Sequence, residues 1–184
     1  MISQLLQLIF GWHTMLGGGE PAVHWTATYL DGSGMHTVEV WRQPDHVRHV
    51  TDHVLELDAL RPAGGGFRFL INDRSRQISY RGTEHDRILH GSFDDWQRWT
   101  HVVAPERPGA LVFAIDRPAA RAPAGTCRWF LDGNRELCWS RSLAIPLVIR
   151  AGGKDVYTVT AAGAFRGTLP PLAPLGDELG GDED

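Results

Sequence analysis

From Val23 onward, apolar and polar residues alternate with a period of two, the spacing of half-buried β-strands. The runs Val23 to Leu30, Met35 to Arg42, His46 to Thr51, Val54 to Leu57, Phe67 to Ile71 and Arg76 to Arg81 predict six strands. Asp31-Gly32-Ser33-Gly34, Pro44-Asp45, Gly64-Gly65-Gly66 and Asn72-Asp73-Arg74-Ser75 separate them as turns, so an antiparallel meander is expected. Phe67, Phe69 and Ile71 share one face of their strand, and Ile78 and Tyr80 share a face of the next. The pattern changes at Thr83. Thr83-x-x-Asp86 and Ser92-x-x-Asp95 resemble capping boxes and predict two short helices, split at Gly91 and ending before Pro105. Leu111 to Ile115 is a further predicted strand, and Pro118 to Pro123 a linker.

Two hairpins close the pattern. Cys127 and Cys138, the only cysteines, flank Asp132-Gly133, a dipeptide that suits a type I′ turn. With those residues as the turn, Cys127 faces Cys138, and directly opposed residues have Cα atoms ~4.5–5.5 Å apart, within disulfide reach. A bridge is expected, and with it an oxidising compartment. Ile145 to Ile149 and Val156 to Thr160 form the second hairpin around Ala151-Gly152-Gly153-Lys154. At the other end, Leu5, Leu6, Leu8, Ile9, Trp12 and Leu16 repeat at helical spacing before Gly17-Gly18-Gly19. That predicts an amphipathic helix over residues 1–16, or a degenerate signal peptide lacking basic residues. Residues 166–184 are Pro-rich and then acidic, and the composition predicts a flexible tail.

Composition narrows the function. The 184 residues suit one domain, residues 1–165, with a sizeable core. A formal net charge of −4 argues against a nucleic-acid partner. No Gly-x-Ser-x-Gly elbow, P-loop or Cys-x-x-Cys occurs, so no catalytic residue is assigned and no enzyme or cofactor is expected. His46-x-x-His49-x-x-x-His53 would gather three ligands on a helix, but Val47, Val50, Thr51 and Val54 favour a strand. A strand sends His46 and His49 to opposite faces and dissolves the metal site. Seven Trp and seven Phe exceed what a small sandwich needs. A curved sheet so supplied either fills its core or leaves a cavity for an apolar ligand.

The order of elements resembles the LolA-like superfamily of periplasmic lipoprotein carriers, over about residues 2–165. The likeness rests on the N-terminal apolar segment, the turn at Asp31, and Val40-Trp41-Arg42-Gln43-Pro44-Asp45, which is similar to the family's Trp-x-x-Arg-Pro-Asn. It rests also on Ser92-Phe93-Asp94-Asp95-Trp96-Gln97-Arg98-Trp99 as a lid region, and on Ile145 to Arg150 with Val156 to Thr160 as closing strands. The resemblance implies an unclosed, strongly curved antiparallel β-barrel of about eleven strands with short helices as its lid. It implies a non-enzymatic, periplasmic and monomeric lipid or lipoprotein binder, with an acyl chain held between sheet and helices. Val38, Val40, Phe67, Phe69, Ile78 and Tyr80 are the expected lining, and Ile88, Leu89, Phe93 and Trp96 the expected lid. The family's gating Arg directly precedes the Pro, where this chain has Gln43; Arg42, one residue earlier, is the candidate polar contact. An envelope membrane protein is a candidate partner. The alternative is an envelope interaction or sensor domain with a filled core, and a His-coordinated metal protein is a third reading.

Overall fold

The computed structural model describes residues 9–11, 21–83, 111–118, 120–176 and 178–180. Among them the chain is mainly β, with no helix. The strands are β1 (Ile9–Gly11), β2 (Val23–Leu30), β3 (Met35–Arg42), β4 (His46–Thr51), β5 (Leu55–Leu60), β6 (Arg68–Asp73) and β7 (Ile78–Thr83). Then come β8 (Leu111–Ala114), β9 (Ala120–Ala122), β10 (Gly125–Asp132), β11 (Arg135–Ser140), β12 (Ile145–Ala151), β13 (Lys154–Ala164) and β14 (Glu178–Gly180). They form one sheet in the order β1-β8-β10-β11-β12-β13-β2-β3-β4-β5-β6-β7-β14, with β9 attached to β10. Two meanders, β2 to β7 and β10 to β13, are thus joined edge to edge by β13 against β2. β1 and β14 end the order without meeting, so the sheet is not closed.

The six-strand meander follows the alternation. The Asp31 turn is built as the sequence suggests: Asp31 Oδ1 accepts the Ser33 N–H at 2.7 Å and the Gly34 N–H at 3.2 Å. Asp73 repeats the device at the β6–β7 turn, accepting the amides of Ser75 and Arg76. That fixes the turn at Arg74 to Gln77, two residues beyond the expected one, because Asn72 stays in β6 opposite Ser79.

Three expectations need correction. Ile9-Phe10-Gly11 are not helical but pair antiparallel with β8, Ile9 opposite Phe113. The short run Ala120–Ala122, expected as linker, is strand β9. The cysteine hairpin turns at Gly133-Asn134, with Asp132 opposite Arg135. Of the two turn residues only Gly133 has a positive φ, +58°, which suits a turn with Gly in its first central place. Cys138 therefore opposes Trp129, and Cys127 lies diagonally beyond. The bridge nonetheless forms, with Cα atoms 5.2 Å apart. A register slip of two residues leaves every side chain on its own face, so alternation alone cannot choose between the two pairings.

Residues 166–176, expected to be loose, run across the sheet. Phe165 N–H donates to the Ala22 carbonyl, and the segment then crosses the β3–β7 meander, hydrogen-bonded to its side chains, before β14 pairs parallel to β7.

Candidate functional site

The register sorts the side chains into two contrasting faces. Trp25 opposes Val40, Val40 opposes His49, His49 opposes Leu57, Leu57 opposes Ile71 and Ile71 opposes Tyr80. In the other direction Ala27 opposes Val159, Tyr29 opposes Tyr157, Tyr157 opposes Ile149, and Ile149 opposes Leu137. One largely apolar face therefore runs from β11 to β7, nine strands wide, or about 38 Å at ~4.8 Å per strand. Its residues from both meanders belong to a single buried cluster. Within it Trp25 Nε1–H donates to the Tyr157 hydroxyl at 2.8 Å. Burial holds the Tyr157 phenol far above its ordinary pKa, so it stays neutral.

Arg42 lies on this apolar face, opposite Val23 and Val47, and is completely buried. Its Nη1 donates to the Ala144 carbonyl at 2.9 Å, and its Nη2 to the Leu143 and Pro21 carbonyls at 2.7 and 3.4 Å. The guanidinium also sits 5.6 Å from the Trp25 ring. Ala144 holds a left-handed φ of +51°, a conformation that needs its surroundings to enforce it. Arg42 thus ties β3 to the turn before β12. The polar contact expected of it is made to the chain's own carbonyls.

Of the expected lining, Val38, Val40, Phe67 and Phe69 are buried, none more than 6% exposed, whereas Ile78 and Tyr80 are half-buried. Val38 and Val40 share their face with Phe69, Ile78 and Tyr80 through the strand-to-strand register. The expected lid residues Ile88, Leu89, Phe93 and Trp96 lie outside the described residues. Cys127 and Cys138 sit on the opposite face from Phe130 and Leu137. There they neighbour Trp129, whose ring lies 5.0 Å from Arg117 and 5.1 Å from Arg150.

His46 and His49 do lie on a strand and point to opposite faces, while His53 sits in the following turn at φ +58°. They cannot converge on one ion, and no metal-ligand cluster occurs among the described residues. His46 Nε2–H instead donates to Asp58 Oδ1 at 2.8 Å, with both groups buried. Arg48 Nε donates to the same oxygen at 2.8 Å. Burial pushes the Asp58 carboxyl upward, but His46 and Arg48 outweigh it and hold the pKa below its ordinary value.

A second polar cluster was not legible beforehand. His36 Nδ1 meets Asp52 Oδ2 at 2.7 Å, and its Nε2 meets Ser33 Oγ at 2.8 Å and Asp31 Oδ1 at 3.2 Å. The connectivity is that of a nucleophile, base and orienting acid, but two features disqualify it. Ser33 Oγ–H donates to Asp31 at 2.6 Å, and Asp31 also takes the Ser33 and Gly34 amides that would have to stabilise an oxyanion. The Asp52 hydrogen bond, with Asp31 beside it, raises the His36 pKa, which works against a neutral general base. The cluster is a fastening between the β2–β3 and β4–β5 turns.

No protein-family model, curated protein or solved structure matches the chain.

Proposed function

We propose that the protein is a non-enzymatic, LolA-like envelope protein that holds an acyl chain of a lipid or lipoprotein against its apolar sheet face, with the segment bearing Ile88, Leu89, Phe93 and Trp96 as the cover. The observation that carries this reading is the largely apolar face of an unclosed sheet, spanning β11 to β7. Such a face is far larger than the patches soluble chains leave to water. It must be filled from within or by a ligand. The Cys127–Cys138 bridge is consistent with the periplasm or another oxidising compartment. Burying about ten methylenes contributes ~8 kcal/mol at ~0.8 kcal/mol each. Association costs several kcal/mol, so an affinity no tighter than micromolar is expected.

The burial of Val38, Val40, Phe67 and Phe69 favours a second reading, an envelope interaction domain whose core is complete without ligand. Mass spectrometry of lipids extracted from the purified protein, with a fatty-acid titration followed by tryptophan fluorescence, separates the two. Co-purified lipid and a saturable micromolar response support the carrier. Absence of both refutes it and leaves the interaction domain. Phe69 is buried too deeply to carry a charge without unfolding risk, so the binding variants are Ile78→Asp and Tyr80→Asp at half-buried sites, each expected to weaken the response at least fivefold.

A further inference from the structure

The polar face of the β4–β7 strands carries a repeated unit. Arg48 on β4 and Asp58 on β5 are directly opposed and bonded to each other. Arg48 Nη2 donates to the Pro170 carbonyl at 2.6 Å, and Asp58 Oδ2 accepts the Leu172 N–H at 3.2 Å. Two strands further on, Asn72 on β6 and Ser79 on β7 are also opposed and bonded to each other. Asn72 Nδ2 donates to the Ala173 carbonyl at 2.9 Å, and Ser79 Oγ accepts the Leu175 N–H at 2.8 Å. Each pair therefore reads one carbonyl and the amide two residues later. From the first pair to the second, the tail advances three residues and the sheet two strands.

Those two steps are commensurate. Three residues of polyproline II span ~9.3 Å, and two strand spacings span ~9.4–9.8 Å. Burial has the same period: Leu169 is buried, Leu172 and Leu175 are half-buried, and the residues between them are exposed. Gln43 Nε2 extends the carbonyl series backward by donating to Gly167 at 3.1 Å. Pro170, Pro171 and Pro174 pre-set the extended conformation and lack only N–H groups that the sheet does not use. The readers themselves are built in, because Asp58, Asn72 and Ser79 are each at most 4% exposed. They recognise main chain, so the surface selects a conformation and an apolar spacing, not this one segment.

We propose that the polar face of β4–β7 is a recognition surface for an extended proline-rich peptide with an apolar residue at every third position, filled in the free chain by residues 167–175 of the same molecule. A partner protein displaying Leu-x-x-Leu-x-x-Leu in polyproline II form competes with that tethered segment. Tethering gives the resident segment a millimolar effective concentration, so the partner's apparent affinity is lowered by the fraction of surfaces already filled. The proposal concerns the face opposite the apolar one and does not depend on lipid binding.

The test uses the full chain and a synthetic peptide with the sequence of residues 167–180. In the wild type, millimolar peptide should speed hydrogen exchange of the Leu172 and Leu175 amides at least fivefold, because displacement frees both. Pro171→Gly with Pro174→Gly leaves the reading side chains untouched and disfavours the resident segment. This double variant should bind the fluorescein-labelled peptide at least tenfold more tightly than wild type by anisotropy. A peptide with its prolines replaced by glycine should bind at least tenfold more weakly. Unchanged exchange in the wild type overturns the proposal, as does equal binding of the two peptides.

Discussion

Asp58→Ala tests how the sheet's polar face is held together, and the structure sets its size. The carboxylate joins three groups: His46 Nε2 and Arg48 Nε at 2.8 Å each, and the Leu172 N–H at 3.2 Å. Asp58 is 4% exposed, and the side chains of His46 and Arg48 are 6% and 14% exposed. Water therefore cannot replace the lost acceptor. Removing one partner of a buried charged pair costs ~3–5 kcal/mol. Arg48 keeps its bond to Pro170, which favours the lower end. About 3 kcal/mol is expected, or a Tm fall of about 6–12 °C for a domain of this size. Asp58→Asn keeps an acceptor oxygen but loses the charge, and should cost about half as much.

Urea unfolding followed by tryptophan fluorescence measures the stability. Trypsin cleavage after the exposed Arg166 measures whether the tail has lifted. Both should move together in Asp58→Ala. The pH dependence has a definite sign. The folded pKa of Asp58 lies below its ordinary value near 3.8, so its contribution is complete above that value and disappears as pH falls through the lowered one. Acid should therefore lower the urea-unfolding stability of wild type more than that of Asp58→Asn. If Asp58→Ala unfolds within 1 kcal/mol of wild type and its Arg166 is cleaved no faster, the carboxylate does not anchor the tail.

Two other outcomes follow from the same geometry. Reducing Cys127–Cys138, which spans 11 positions, should cost ~3 kcal/mol by loop entropy and lower the Tm without abolishing folding. Two freely titrating thiols in unreduced, periplasmically expressed protein would contradict the bridge. NMR titration should find the His36 pKa above 6.5 and lower in Asp52→Asn, because the Asp52 hydrogen bond is its largest cause. With Asp31 held at about 2, chiefly by the Ser33 hydroxyl, that fastening is complete between roughly pH 4 and 6.5 and weakens as pH rises through the His36 value. An unchanged His36 titration in Asp52→Asn would refute the assignment.

Most of the sheet was legible because alternation and turn chemistry agree. Asp31-Gly32-Ser33-Gly34 and Pro44-Asp45 end strands where the structure ends them. Legibility failed where two arrangements satisfy the same local rules. Asp132-Gly133 and Gly133-Asn134 both supply Gly to a tight turn, and the two registers differ by two residues, which alternation cannot detect. The helical spacing of Leu5, Leu6, Leu8, Ile9, Trp12 and Leu16 predicts helix at Ile9-Phe10-Gly11. Its strand state depends on β8, a hundred residues away, and long-range pairing overrides local propensity.

The polar site was hidden for a different reason. Asp58, Asn72 and Ser79 stand at positions that alternation assigns to the face away from the core, where polar residues need no explanation. What alternation does not show is that the tail's main chain bonds to them. The tail's own signal was present, since Leu169, Leu172 and Leu175 are spaced by three between prolines. Composition reads the same residues as disorder, because a proline-rich segment buries little apolar area and forms no hydrogen bonds within itself. What decides the matter is whether an outside surface can take up its carbonyls and amides at the polyproline spacing. A sheet that places opposed donor–acceptor pairs every second strand does so, at ~9.4–9.8 Å against ~9.3 Å. That match is a property of two segments about a hundred residues apart, and it becomes visible only when both are laid together.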